Sequence, residues 1–250
     1  MKVDVYFSPA VVDEPALEGR VAVVIDVVRA TSAMVEALAN GARAIFPTVS
    51  TEEAVKLASS LGREDTLLCG ERKGLKVEGF DLGNSPGEFR PEVVEGKQLV
   101  MTTTNGTRAL IVAESASRVL AASFMNISAV TKALKGEEAL VIICAGRENR
   151  FALEDALCAG AIMRGLQEGQ EEDLVLNDAG TVALDMAHKY PVDVAFLKST
   201  SAGKALGRIG LDGDLELCAE KDRHSLVPEM RERQITCSVE PLPQEEKPEE

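Results

Sequence analysis

Histidine is nearly missing from this chain: there are two in 250 residues, His188 and His224, far apart in sequence. A histidine-rich metal centre is thereby excluded, since imidazole is the commonest metal ligand. Cysteine is sparse and unpaired. Cys69, Cys144, Cys158, Cys218 and Cys237 are odd in number and contain no CxxC spacing, which excludes a disulfide framework and a zinc finger. Cys69 and Cys144 close apolar, strand-like runs, where a reduced thiol packs as a small hydrophobe. No apolar run approaches the roughly 20 residues that span a bilayer. The opening "MKVDVYFSP" carries Asp4 where a signal peptide would need an apolar core. A cytoplasmic protein without a membrane partner is therefore expected. Positive charge is in deficit, with 27 Lys and Arg against 41 Asp and Glu for a net charge of -14. Nucleic acid and anionic membrane are poor partners for such a chain. It also has no DxDxT run, no GxxxxGK[ST] loop and no HExxH, which removes several hydrolase and nucleotide-binding classes.

What is present reads as one repeating unit. A hydrophobic fraction of 45% with 27% charged residues is ordinary globular composition, enough for a full core. "VAVVIDV" runs into "RATSAMVEALANGA", whose apolar spacing is helical and stops at Asn40-Gly41. "ARAIFPT" precedes "STEEAVKLASSLG", where Ser50 or Thr51 can cap a helix ending near Gly62. "DTLLCGER", "KQLVMTTTNGTRALIVAESA", "SRVLAASFMNISAVTKALKG" and "EALVIICAGRENRFALEDALCAGAIMRGL" continue the alternation. Continuous apolar strands alternating with helices predict a three-layer α/β/α fold around a mainly parallel or mixed sheet. Beyond about residue 170, "DAGTVALDMAHKY" and "TSAGKALGRIG" read as helical. "DLELCAEKD" to "RQITCSV" reads as irregular, with one or two strands. No Gly/Pro-rich linker interrupts the chain, so residues 1–238 are expected to form a single domain. Residues 239–250, which include the acidic and proline-bearing "EPLPQEEKPEE", are expected to be a disordered tail.

Ligands of open α/β sheets bind at the carboxyl ends of strands, so the residues following each strand carry the functional information. After "VAVVI" come Asp26, Arg29 and Thr31; after "TLLC" come Glu71, Arg72 and Lys73. "QLVM" is followed by Thr102 to Arg108, "VLAAS" by Asn126, and "LVIIC" by Arg147, Glu148 and Arg150, with Glu154 and Asp155 a turn later. The loop "GFDLGNSPGEF" adds Asp81 and Asn84. Asp26, Glu71, Asp81, Glu154 and Asp155, with the neutral oxygen of Asn84, form the hard-oxygen donor set that Mg²⁺ prefers. Arg29, Arg72, Lys73, Arg108, Arg147 and Arg150 place cations at the same predicted edge, which suits a small anionic molecule. "TTTNGT" offers hydroxyls and N–H groups at a helix start, a natural phosphate cradle; each of these motifs taken singly also fits a helix cap or a turn.

Together, "DVVRATSAMVEALANGA", "LLCGERKG", "GFDLGNSPGEF" and "MTTTNGTRAL" resemble the 2-phosphosulfolactate phosphatase family, and the likeness continues through "SFMNISAV", "ICAGRENRFALEDALCAGAI" and "VPEM". The resemblance implies a Mg²⁺-dependent phosphatase that hydrolyses (2R)-2-phospho-3-sulfolactate to 3-sulfolactate and phosphate, with coenzyme M biosynthesis and another use of sulfolactate both open for the product. It implies catalytic roles for Asp26, Arg29, Glu71 and Asp81, and Mg²⁺ ligation by some of Asp26, Glu71, Asp81 and Glu154. Substrate would be held by Arg29, Thr31, Arg72, Asn84, Thr104, Asn105, Gly106, Thr107, Asn126 and Arg147. An attacking water and a covalent phosphate on Asp26 both stay open, as does a related phospho-acid as substrate. A homodimer is the expectation that the commonness of two-fold assemblies supplies.

Two rivals stand beside this reading. "CAGRENR" has the C-x5-R spacing of cysteine-dependent phosphatases, though Phe151 stands where Ser or Thr usually follows. A non-catalytic binding protein for a small phosphorylated or dicarboxylic acid would use the same basic loops. Such a protein has no reason to gather carboxylates beside an anionic ligand.

Overall fold

A computed structural model describes residues 1–168 and 173–237; the expected acidic tail lies outside the described residues. The strands are β1 (Lys2–Tyr6), β2 (Val21–Ile25), β3 (Ala44–Thr48), β4 (Thr66–Arg72), β5 (Leu75–Lys76), β6 (Gln98–Thr102), β7 (Arg118–Ala122), β8 (Ala139–Cys144), β9 (Val175–Leu176), β10 (Pro228–Arg231) and β11 (Gln234–Cys237). The helices are α1 (Ala30–Ala39), α2 (Thr51–Leu61), α3 (Pro91–Val94), α4 (Gly106–Val112), α5 (Ile127–Ala133), α6 (Leu153–Gln167), α7 (Asp178–Lys189), α8 (Val194–Ser199), α9 (Ser201–Arg208) and α10 (Asp214–Cys218). Local chemistry sets several boundaries. The Ser50 side chain accepts the Glu53 N–H to start α2, and Gly62 at φ 92° ends it. Asn177, Asp193 and Thr200 cap α7, α8 and α9 in the same way. "DLELC", expected to be irregular, forms the short helix α10.

One sheet joins all eleven strands in the order β5-β4-β6-β3-β11-β10-β7-β2-β8-β1-β9. The expected α/β architecture is thus present, and its sheet is mixed. The group β4-β6-β3 is parallel within itself, and so is β7-β2-β8-β1-β9. Between them lies the C-terminal hairpin β10–β11, antiparallel to both neighbours. Three successive antiparallel joins leave the two parallel groups running in opposite senses.

The alternation of side chains along the strands separates the cores. Val21, Val23 and Ile25 of β2 pack with Leu140, Ile142 and Cys144 of β8 under α5, α6 and α7. Ala22 and Val24 face the opposite way, into a cluster with α1 and α4 that also takes Ile45, Cys69, Leu99 and Met101 from the other parallel group. The outer face of that second group packs Leu68 and Val100 against Ala54 and Ala58 of α2. Helices therefore cover both faces of the sheet.

The tightest helix contact is between α6 and α7. A Cβ on Gly160 would stand 1.9 Å from the Ala183 carbonyl oxygen, so the two backbones meet where only glycine fits. Gly160→Ala is expected to lower stability by at least about 1–3 kcal/mol, the usual range for overpacking, as read by urea denaturation.

Candidate active site

The sense reversal in the sheet creates a geometric demand. β2 and β6 are five strand positions apart, roughly 24 Å at the ~4.8 Å spacing of paired strands. Yet a Cβ on Gly106, four residues past β6, would lie 2.4 Å from Ala30 Cβ and 2.7 Å from Asp26 Oδ2. The sheet must bend back on itself for the ends of β2 and β6 to meet. Where they meet is a cavity of about 340 Å³. Asp26 and Arg29 reach it from the end of β2, Glu71 and Lys73 from β4, and Thr104 and Asn105 from the start of α4. Gly146, Arg147 and Glu148 follow β8, while Glu154 and Asp155 project from the first turn of α6. Asn84 comes from the glycine-rich loop, and Ala202, Ala205, Leu206 and Ile209 make an apolar wall at α9.

Asp26 is the most constrained of these groups. Its Oδ1 accepts the Ala30 N–H at 3.3 Å, while Thr31 bonds back to the Asp26 backbone through both N–H and hydroxyl. Burial, with the nearby charges of Glu71 and Glu154, pushes the Asp26 carboxyl up to about 7, against the opposing Ala30 N–H and Arg29. Burial likewise raises Glu154, despite the Thr200 hydroxyl and Arg147. Asp155 is also raised by burial, reinforced by Asp26 and Glu154, although its two oxygens accept the Val27 and Gly146 N–H groups at 2.9 and 3.0 Å. Glu71 is anchored by the Thr104 and Gly74 N–H groups, each at 2.7 Å.

The lining holds five carboxylates, Asp26, Glu71, Glu148, Glu154 and Asp155, against the three cations Arg29, Lys73 and Arg147. Two oxygens in it have no partner among the described residues: Asn84 Oδ1, on a side chain only 4% exposed, and Thr104 Oγ1. Orphaned buried acceptors are rare and ask for a ligand, an ion or water. Among the described residues no group of three or more His, Cys, Asp and Glu side chains is arranged as a ready metal cage. Mg²⁺ rarely uses one, taking one or two carboxylates and several waters. The donors here fit it: carboxylate oxygens of Glu71 and Glu154, and the unpartnered carbonyl of Asn84, in a cavity with excess negative charge.

Of the residues read from the sequence, Asp26, Arg29, Glu71, Asn84, Thr104, Asn105, Arg147 and Glu154 all line this cavity, and Gly106 lies directly behind Asp26. Seven others do not line it, Arg108 and Arg150 among them. Asp81 turns outward, where its carboxylate accepts the Leu68 N–H at 2.7 Å and pairs with Arg63 at 3.1 Å; it fastens the glycine-rich loop to β4. Thr31 is fully buried against the Asp26 backbone. Arg72 spends its guanidinium on Glu71 O and Thr102 Oγ1. Thr107 bonds with Thr103 inside the first turn of α4. Asn126 is a buried cap that accepts the Ser123 N–H and donates to Ala121 O and Leu226 O. Cys144 is also removed from the chemistry. Its thiol is fully buried in the core, burial holds it well above its ordinary value, and no thiolate faces the cavity. Asp214, which bonds to Arg29, and the α9 wall were missed, because no local motif marks them.

The raised carboxyl of Asp26 has a thermodynamic signature. Between its ordinary value of 3.8 and about 7 the folded protein keeps a proton that the unfolded chain has released, so stability falls as pH rises through that window. Asp26→Asn keeps an oxygen for the Ala30 N–H and removes the buried charge. In metal-free protein it is expected to gain on the order of a few kcal/mol at pH 8 relative to pH 4. Asp81→Asn, which keeps an oxygen for the Leu68 N–H and gives up the half-exposed pair with Arg63, should instead lose at most about 1 kcal/mol near neutral pH. Urea midpoints at pH 4, 6 and 8 separate the two behaviours.

A family model described as 2-phosphosulpholactate phosphatase matches residues 6–233. A protein of Clostridium perfringens (strain SM101 / Type A), "Probable 2-phosphosulfolactate phosphatase", is 42% identical over 239 residues, spanning 94% of this chain and 96% of its own length. Proteins of the same description from Thermotoga maritima and Clostridium beijerinckii are 42% and 37% identical, over 90% and 95% of this chain and 94% and 100% of their own lengths. With its motifs folded around one cavity and a family match over nearly its whole length, the chain belongs to the 2-phosphosulpholactate phosphatase family.

Proposed function

We propose that the cavity hydrolyses the phosphate monoester of a small, multiply anionic acid, with 2-phosphosulfolactate as substrate and sulfolactate and inorganic phosphate as products. The observation that carries this reading is the juxtaposition of Asp26, Glu71 and Glu154 with Arg29, Lys73 and Arg147 around about 340 Å³. A site that only binds anions gains nothing from five carboxylates, because they repel the ligand. A phosphatase can use both signs, cations for the substrate and carboxylates for a metal ion and for proton transfer.

Glu71, Glu154 and Asn84 Oδ1 would hold Mg²⁺, which when bound would neutralise phosphoryl charge. Arg29 and Arg147 supply planar forks for phosphate, carboxylate or sulfonate oxygens. The hydroxyl of Thr104, without a hydrogen-bond partner among the described residues, is available to the phosphoryl group at the start of α4. Asp26 lines the same cavity; its Oδ1 accepts the Ala30 N–H, and its Oδ2 would take the proton of an attacking water. The apolar side chains of α9 in the lining suit the short carbon skeleton of a three-carbon acid.

Phosphate release from 2-phosphosulfolactate is expected with Mg²⁺ and should disappear with EDTA. Release from phospholactate and p-nitrophenyl phosphate should be slower, since each lacks the sulfonate. Asp26→Ala is expected to lower turnover by about 10²–10⁴-fold, the range for loss of an acid–base group, while Cys144→Ser keeps it. Release that survives EDTA, or full activity in Asp26→Ala, would sink the proposal. Mg²⁺ alone should raise the melting temperature of the wild type, and Glu154→Gln should remove that rise, a readout independent of turnover.

A further inference from the structure

Arg29 is held by one group inside the motifs, Gly74, and one outside them, Asp214. Its Nη1 donates to Asp214 Oδ2 and its Nη2 to Gly74 O, both at 2.6 Å. Arg29 is 4% exposed and Asp214 9%, so this pair escapes the screening that weakens surface ion pairs. The other oxygen of Asp214 accepts the Ser85 hydroxyl. Ser85 directly follows Asn84, whose Oδ1 is the unpartnered acceptor in the cavity. Asp214 itself does not line the cavity. One carboxylate on α10 therefore joins the start of α1 to the Asn84 loop from behind.

We propose that Asp214 is a positioning residue for anion binding: it fixes the plane of the Arg29 guanidinium, and the Ser85 hydroxyl in turn fixes the Asp214 carboxylate. A guanidinium carries five N–H donors in a planar fork, so bonds from both terminal nitrogens fix its orientation. The donors left over then face the cavity in a set direction before the ligand arrives. A preset donor loses less freedom on binding than a mobile one. The same chain of bonds continues from Gly74, whose N–H donates to Glu71, to the Thr104 N–H on the next oxygen of Glu71. The positions of Arg29, Glu71 and Thr104 are thereby coupled.

The kinetic part of the test rests on the phosphatase reading; the binding part does not. Asp214→Asn, Arg29→Lys and the double variant form a cycle, read as the Kd for inorganic phosphate by calorimetry with Mg²⁺ present, and as kcat/KM for phosphate release. Each single variant is expected to lose about 10–100-fold, the scale of a misplaced binding group. The double variant should lose no more than Arg29→Lys alone, because Asp214 acts through Arg29. Losses that multiply in the double variant would overturn the proposal. If Asp214→Asn does not fold, Ser85→Ala takes its place in the cycle: a loss that vanishes in the Arg29→Lys background supports the proposal, and a loss that persists overturns it. Wild type that binds phosphate without hydrolysing any ester would refute the phosphatase reading, while the phosphate cycle would still decide the role of Asp214.

Discussion

The contact between the start of α4 and the start of α1 is the constraint on which the rest of the structure depends. Gly106 sits so close to Ala30 and Asp26 that any side chain there would overlap both. That approach brings the ends of two strand groups together although the groups run in opposite senses in the sheet. The inserted hairpin β10–β11 reverses the direction, and the bend of the sheet brings the ends back into one place. A buried cluster takes residues from α1, α4 and both strand groups. Burial of this apolar surface, at roughly 25 cal/mol per Å², is what holds the bend against the repulsion in the cavity.

That repulsion is substantial. Asp26, Glu154 and Asp155 are almost wholly buried, and burial raises the proton affinity of all three. Backbone N–H groups offset part of the penalty, from Ala30 for Asp26 and from Val27 and Gly146 for Asp155. Arg29 opposes the rise of Asp26 less than the Ala30 N–H does, and its guanidinium is also held by Asp214. A cavity with this excess of carboxylate is poised to take up a cation, a proton or both. The same strain is what a phosphate-handling site needs, since a cation drawn in by the carboxylates turns a repulsive cavity into one that attracts an anion.

Much of the site was legible in the sequence because strand ends are easy to find. Continuous apolar runs such as "VAVVI" and "LVIIC" mark strands buried on both faces, and the polar residues just beyond them, Asp26 and Arg147, do line the cavity. Residues one step further were harder. Thr31 and Thr107 sit in first helical turns, where a hydroxyl can face a ligand or bond back to the backbone, and both bond back. Asp81 and Asn84 lie three residues apart in one loop, but Asp81 faces β4 while Asn84 faces the cavity. Loop sequences carry no periodicity from which to read such a difference.

The sequence by itself determined the alternation of strands and helices, the caps that bound them, and the choice of carboxylates, arginines and a helix-start threonine run as reactive groups. These follow from periodicity and local hydrogen bonding, which act over a few residues. The tertiary structure alone decided that the C-terminal hairpin enters the middle of the sheet, that two oppositely directed strand groups share one cavity, that α9 supplies part of its lining, and that Asp214, 185 positions along the chain from Arg29, bonds to that arginine from outside the lining. Such pairings are set by which apolar faces can be buried together. That depends on the whole chain, so no short stretch of it can specify them.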